Sequence, residues 1–598
     1  MRLSFFKVPG SWFLVPGSRF KVLDSRFWVP AAVAAGIAAL TGVSGVPAGA
    51  QRPTNRFDVL IAHGRIVDGT GSPWFVGDVG LVGDRIAAVG SLTGATATTR
   101  LDATNLVVAP GFIDLLGQSE FNVLVDNRAA SKILQGVTTE VTGEGSSIAP
   151  VNDRMIKEGA DNAQHFGVAQ DWRTLGDYFK RLEARTHPAI NVGTFVGAGG
   201  LRNFVIGKDD RRATPAELDA MKALAARAME EGALGLSTSL QYVPDRFADL
   251  NEIVALAQVA SRYGGVYFTH QRSESGRIFE SLDEVFAIAE QAHLPAEIWH
   301  LKTAYKANWG KMPEVLARIE AARARGLDVT ANQYPYPRAS NGLDACLPLW
   351  VREGGLDKML ARLRDPSLRD RIKTDMADRA ATTWENQWYG AGGGDGVMLS
   401  SVLNTELRKY EGMSLTEIGK AMGKDPRDAV MDLVIADRGE SSVIISIMNE
   451  DDVRAALKHP LVGIGTDSGA QAEDGKLSES KSHPRAWGSF PRILGKYVRD
   501  EHLLTLEEAI RKMTSKAANR VHLTDRGILR PGMMADITIF DPATIHDVST
   551  FDDPKHYSVG VKHVFVNGRR VVADGAITNE RPGRPVRGPG FRLPADAR

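Results

Sequence analysis

One cysteine, Cys346, stands among 598 residues. A lone thiol excludes an intramolecular disulfide and a cysteine-cage zinc site, so the fold rests on its core. Buried single cysteines are usually inert fillers, and Cys346 is assigned no role. An excess of charge is lacking too: Lys+Arg and Asp+Glu both number 72. Nucleic-acid binders usually carry a basic excess, so nucleic acid is not expected as a partner. What is present is an ordinary apolar fraction, 43%, in a chain long enough for several domains or one large barrel with attachments.

The N-terminus reads as an export signal. Arg2, Lys7, Arg19, Lys21 and Arg26 precede an apolar stretch from Phe27 to Val46 that closes on Ala48-Gly-Ala50, an A-x-A cleavage pattern. Residues 1–50 are therefore read as a signal peptide, with a periplasmic or secreted chain beginning near Gln51. A membrane anchor is the alternative; Pro30 and the glycines make the stretch a poor stable span, and none is expected after cleavage.

Residues 51–110 show short alternating runs with turns, such as Asp84-Arg-Ile-Ala-Ala-Val-Gly90. The same character returns over 526–580, in Ala535-Asp-Ile-Thr-Ile-Phe540 and Val561-Lys-His-Val-Phe-Val566. These read as two parts of one β-sandwich. Residues 581–598, rich in Pro, Gly and Arg, read as a loosely held tail.

Between the two parts lie eight candidate core strands: 107–116, 138–143, 190–198, 233–239, 265–269, 297–300, 328–333 and 461–466. Helical patterns separate them. The clearest begins at Thr214-Pro-Ala-Glu217, with a capping threonine, proline in the first turn and an early carboxylate. Eight strand–helix units predict an α/β fold, a (β/α)8 TIM-like barrel over 111–525 inserted in the sandwich. The gap from about 345 to 456 is too long for one crossover and reads as a mostly helical insertion at the mouth.

In such a barrel, polar residues at the C-terminal strand ends face the active-site mouth. Strand two ends in Thr142-Gly-Glu144-Gly, strands five and six in His270 and His300, and strand eight in Gly465-Thr-Asp467. Taken singly, each has a bland reading: a core histidine, a turn carboxylate, a helix cap. Two imidazoles and a carboxylate on neighbouring strand ends match the open ligand set of a catalytic zinc. Such a metal lowers the pKa of bound water from about 16 towards 7. Asp467 is placed to carry the proton to a leaving nitrogen.

Several motifs then point to a resemblance. Pro110-Gly-Phe-Ile-Asp114, Gly136-Val-Thr-Thr139, Gly232-Ala-Leu-Gly-Leu-Ser-Thr238, Thr269-His-Gln-Arg272, Trp299-His-Leu-Lys302, Tyr334-Pro-Tyr336, Gly465-Thr-Asp467 and His483-Pro-Arg485 run in order. Together they resemble the D-aminoacylase (N-acyl-D-amino-acid deacylase) branch of the metal-dependent amidohydrolase superfamily. The resemblance implies the barrel, the split sandwich, amide hydrolysis by metal-activated water, His270 and His300 as ligands, and Asp467 as acid/base. It also implies contact of the substrate carboxylate by Lys302, Arg485 and Tyr242, whose charge and place suit that task; His483 is a further candidate substrate contact.

Two departures stand out. Where the family usually carries His-x-His after Pro-Gly-Phe-Ile-Asp, this chain has Leu116 and Gln118. Where the branch usually has a metal-binding cysteine, it has Glu144. The expectation is one zinc per chain on Glu144, His270 and His300, acting on a small-molecule amide, with self-association left open. The alternatives are a hydrolase of cyclic amides, lactones or bulky aromatic amides, and an inactive metal-free binder.

Overall fold

The computed structural model describes residues 56–379, 384–479 and 481–592. The signal-peptide reading of residues 1–50 lies outside them. Among the described residues no helix is long and apolar enough to cross a membrane.

Eight parallel strands follow one another along the chain: Phe112–Asp114, Val137–Thr142, Asn191–Thr194 with its continuation Val196–Gly197, Gly235–Ser239, Val266–His270, Ala296–Ile298, Val329–Gln333 and Val462–Ile464. They fall into two sheets. The third strand serves both: Asn191–Thr194 pairs with the second strand, and Val196–Gly197 with the fourth. Beyond the eighth strand, a parallel bridge joins Ser468 to Gly117, just past the first. The fifth, sixth and seventh strands are buried along their whole length. That is what parallel strands covered on both faces require, and the polar groups they carry, such as Glu297 and Asn332, are buried with them. Helices Pro215–Glu231, Leu250–Arg262, Ile278–Ala292 and Met312–Ala324 make crossovers between them. The first starts on a Thr214–Glu217 capping box and stops at Gly232 in the left-handed region.

The predicted strand 107–116 is two strands. Val107–Pro110 pairs with Ile537–Phe540 and Arg56–Ile66, whereas Phe112–Asp114 turns away to pair with the second parallel strand. Gly111 is the pivot: a Cβ there would lie 2.2 Å from Thr138 Oγ1. The two chain ends do share one sheet, with nine strands and the C-terminal four continuing from Val107–Pro110. Arg56–Ile66 pairs first with Thr96–Asp102 and then, past a bulge between Ile61 and Gly64, with Val107–Pro110. Ile61, Val79, Leu81, Val108, Ile537 and Phe565 pack inside the fold.

A buried ion cluster ties the first and eighth strands. Lys132 Nζ donates to Asp114 Oδ2, Thr466 Oγ1 and the Ser468 carbonyl, each at 2.7 Å. Asp114 Oδ1 accepts from the backbone N–H of Leu116 (3.1 Å) and Thr466 (2.9 Å). The aspartate of Pro-Gly-Phe-Ile-Asp114 thus clamps the segment that leads to Asp467.

Helices occupy much of 345–456, and an unforeseen antiparallel sheet sets Ser442–Ile445 between Val397–Ser401 and Ala339–Gly342, the last just ahead of that range. The tail departs from its reading as well. Gly583 N donates to the Pro188 carbonyl (2.8 Å), Val586 N to Val192 (2.8 Å) and Gly588 N to Gly232 (2.9 Å), and Val586 is buried. A Cβ on Gly583 or Gly588 would sit 2.0 or 2.2 Å from a backbone carbonyl oxygen. The glycines that suggested looseness are what allow close docking. Cys346 is buried and free, in keeping with a filler.

Candidate active site

Glu144, His270 and His300 converge at the C-terminal ends of the second, fifth and sixth strands. Their ligand atoms lie within 4.8 Å of one another. Glu144 Oε1 is 3.1 Å from His270 Nδ1 and 3.2 Å from His300 Nε2. Local backbone makes this possible. Glu144 stands between Gly143 and Gly145, both at positive φ, and a Cβ on Gly145 would lie 2.4 Å from Ser239 Cβ. His300 and Asp467 also have positive φ, 36° and 53°. Non-glycine residues held there carry strain, which collects at functional sites.

The far nitrogen of each imidazole is held, so the near one is aimed. His270 Nε2 lies 2.9 Å from Gln241 Oε1, which holds that nitrogen as a donor and turns Nδ1 towards Glu144. His300 Nδ1 lies 3.0 Å from Glu274 Oε1, which turns Nε2 towards Glu144. Neither Gln241 nor Glu274 was singled out from the sequence. The one available signal was that Glu274 follows His270 by four residues in a segment full of polar groups.

Charge in the cluster is strongly coupled. Burial works against ionised Glu144, yet its contacts with His270 and His300 hold the carboxyl well below the usual range. For His300, burial and the Lys302 ammonium disfavour the cation, but Glu274, Asp467 and Glu144 outweigh them and push it up to about 9. Protonated His300 donates from Nε2 to Glu144, and its Nδ1 side is ion-paired with Glu274. With that proton gone, two imidazole lone pairs and a carboxylate oxygen face a common centre. A neutral-imidazole and carboxylate set of this kind fits zinc, with a position left open.

Asp467 sits beside the triad. Its Oδ2 is 2.7 Å from Arg485 Nη1, and its Oδ1 accepts from Gln118 Nε2 at 3.0 Å. Burial raises its pKa, against the pull of Arg485. All of these groups line one cavity of about 590 Å³, with Tyr242, Lys302, Tyr334, Asn341 and His483. The antiparallel sheet around Ser442–Ile445 forms part of its wall through Ser340, Asn341 and Ser442.

The expected substrate contacts all line this cavity, each already engaged. Lys302, 3% exposed, donates to Glu274 Oε1 (2.6 Å), and its Nζ is 2.7 Å from His300 Nδ1. Arg485 pairs with Asp467 and covers the Tyr334 ring at 4.7 Å. Tyr242 donates to Asn341 Oδ1 (2.6 Å), and its ring meets that of His270 edge-on. His483 accepts from the Arg485 N–H at Nδ1 (2.9 Å) and donates from Nε2 to the Arg338 carbonyl (3.1 Å). Burial and Arg485 keep it neutral, with its pKa well below the usual value. It therefore braces the loop that carries Arg485.

The sequence model described as "Amidohydrolase family" matches residues 100–346 and 420–572. The chain belongs to the amidohydrolase family. Within the family it is similar to the D-aminoacylase of Alcaligenes xylosoxydans xylosoxydans, with 35% identity over 89% of this chain and 98% of that protein. A solved N-acyl-D-glutamate deacylase from Bordetella bronchiseptica, complexed with zinc and a phosphonate inhibitor that mimics the tetrahedral intermediate, superposes with a TM-score of 0.74. It is 32% identical, covering 89% of this chain and 100% of that one. A solved D-aminoacylase, described as having a binuclear metal centre with one-metal activation and second-metal attenuation, gives a TM-score of 0.73. It is 34% identical, again over 89% and 100%.

Proposed function

We propose that this chain is a zinc-dependent amidohydrolase that removes the acyl group from N-acyl amino acids, with the D series as its substrates. The single observation that carries the reading is the triad of Glu144, His270 and His300, with both imidazoles aimed by partners behind them. The residues suit a zinc ion held by Glu144 Oε1, His270 Nδ1 and His300 Nε2. When bound, zinc supplies a Lewis acid that acidifies water and polarises the scissile carbonyl.

The side chains supply the rest. Arg485 offers a guanidinium to the substrate carboxylate, with Tyr242 and Lys302 on the same wall. That carboxylate competes with Asp467 for Arg485 and so frees Asp467 Oδ2. Asp467 then takes a proton from the attacking water and hands it to the leaving amide nitrogen. Its raised pKa brings its basicity closer to neutral pH, as a proton carrier needs.

The reading takes the eight parallel strands as a closed (β/α)8 barrel over 111–525, set in a β-domain made from 51–110 and 526–580. The divided third strand and the Gly117–Ser468 bridge support closure. Export to the periplasm or medium is part of the proposal, supported by the composition of residues 1–50. N-terminal sequencing of the exported protein tests it.

The decisive experiment combines metal content with turnover. Purified protein is expected to hold about one zinc per chain and to release carboxylate from N-acetyl-D-amino acids faster than from their L enantiomers. His270→Ala should lose zinc and turnover together; full activity without metal would refute the assignment. A panel that includes cyclic imides and lactones separates the deacylase from the other ring-opening chemistries of such a site.

A further inference from the structure

We infer that Gln118 occupies, with a neutral amide, the place where a second cation would bridge Glu144 and Asp467, making this a one-metal enzyme that excess metal does not attenuate. The inference rests on the zinc site proposed above, but it comes from a different observation. Gln118 Nε2 lies 3.0 Å from Glu144 Oε2 and 3.0 Å from Asp467 Oδ1. One nitrogen thus spans two carboxylates that flank the end of the first strand, one on the second strand end and one on the eighth.

The orientation of the amide is fixed by chemistry. An amide nitrogen has two N–H donors, and each finds one anionic oxygen. The flipped amide would set a carbonyl oxygen against both carboxylates, with no proton between them. Glu144 accordingly divides its two oxygens: Oε1 faces the imidazoles, and Oε2 faces Gln118. A bridging zinc would need carboxylate oxygens at about 2.0–2.2 Å from the same region. Ion and amide exclude each other.

Leu116 offers an incoming ion no side-chain ligand. Leu116 is apolar and buried, packed with Ile113 and Trp299. Its carbonyl is spent on the Asp467 N–H at 2.7 Å. A second ion would have Glu144 Oε2 and Asp467 Oδ1 as its charged ligands, and it would have to break both Gln118 bonds to reach them. Two carboxylate oxygens without an imidazole make a poor site for a borderline-soft ion. Losing Asp467 as a free proton carrier is the attenuation such an ion would cause. The amide instead holds Asp467 in place while leaving its charge available.

The test is a zinc titration of the chelator-stripped full-length protein, read by elemental analysis after removal of free metal and by turnover in parallel. Bound zinc should plateau at about one per chain, with turnover level through a large molar excess. Gln118→His, and Leu116→His with Gln118→His, should raise the plateau to about two, with turnover falling as the second ion binds. Wild-type protein that takes up two ions, or loses turnover with excess zinc as the variants do, overturns the inference and leaves the hydrolase reading standing. Variants that still hold one ion and respond as wild type overturn it too. A stripped protein that takes up no zinc sinks both readings, so the two failures are distinguishable.

Discussion

At the scale of single residues, the proposed zinc site sets a proton and a metal ion in competition for His300. In the metal-free site the His300 pKa is pushed up to about 9, so near neutral pH the imidazole is protonated and bonded to both Glu144 and Glu274. Metal binding must expel that proton. Apparent zinc affinity should therefore fall about tenfold for each pH unit below that value, for one displaced proton. Competition against a chelator of known affinity at two pH values reads the slope directly. The same raised pKa stabilises the metal-free fold below its ordinary value of 6.5, and that contribution drains away as pH rises towards about 9. Glu274→Gln tests the support behind the ion. It removes the charge that orients His300 and should weaken zinc binding by about 10–100-fold with the fold intact. Unchanged affinity would show that Glu274 serves Lys302 alone. Glu144, His270, His300 and Asp467 were legible in the sequence because each ends an apolar run, and a strand end fixes where a side chain points. Gln118 was visible only as a missing histidine. Gln241 and Glu274 act through distances set by three separate loops, which no local pattern encodes.

At the scale of elements, the first and eighth strands are held as much by charge as by backbone pairing. Phe112–Asp114 and Val462–Ile464 are three residues each. Their ends meet through Lys132, Asp114 and Thr466, while Glu140 Oε1 lies 3.3 Å from the same ammonium. Both ends of the Lys132–Asp114 and Lys132–Glu140 pairs are fully buried. Burial raises the Glu140 pKa to about 7, against the Lys132 charge. Lys132→Met would leave two buried carboxylates without their cation, which costs about 3–5 kcal/mol for a broken buried pair. Because Thr466 adjoins Asp467, the same change should lower turnover before it unfolds the chain. Denaturant melts and steady-state rates on one preparation separate the two effects, and a stability within error of wild type would defeat the argument. The strand reading succeeded over 137–333 because short β-branched and apolar segments there alternate with long helical patterns. It failed at 107–116, where one apolar run crosses Gly111 and changes sheet. It also missed Val397–Ser401 and Ser442–Ile445, which are too short to stand out from the helices around them.

At the scale of the whole molecule, the last described segment closes the structure far from the active site. Residues 583–592 bond in turn to the carbonyls of Pro188, Val192, Gly232 and Glu230, so the segment passes beneath the starts of the third and fourth strands. Val586 joins the core cluster that holds Val141, Phe195, Leu234, Phe268 and Trp299, the apolar interior under the strand ends that carry Glu144, His270 and His300. Composition alone called this stretch a tail, since Pro, Gly and Arg are common in loosely held segments. Its contacts instead need glycine, because a side chain at 583 or 588 would strike the backbone it docks on. Val586→Ala removes two buried methyl groups and should cost about 1–2 kcal/mol at ~0.8 kcal/mol per group. Gly588→Ala should cost more, since its Cβ would meet the Ala233 carbonyl oxygen at 2.2 Å and the backbone must move. Neither residue touches the cavity, so turnover per folded molecule should hold at low temperature while the melting temperature falls. If Gly588→Ala melts with wild type, the segment is an ornament on the surface, and the interior beneath the three ligands closes without it.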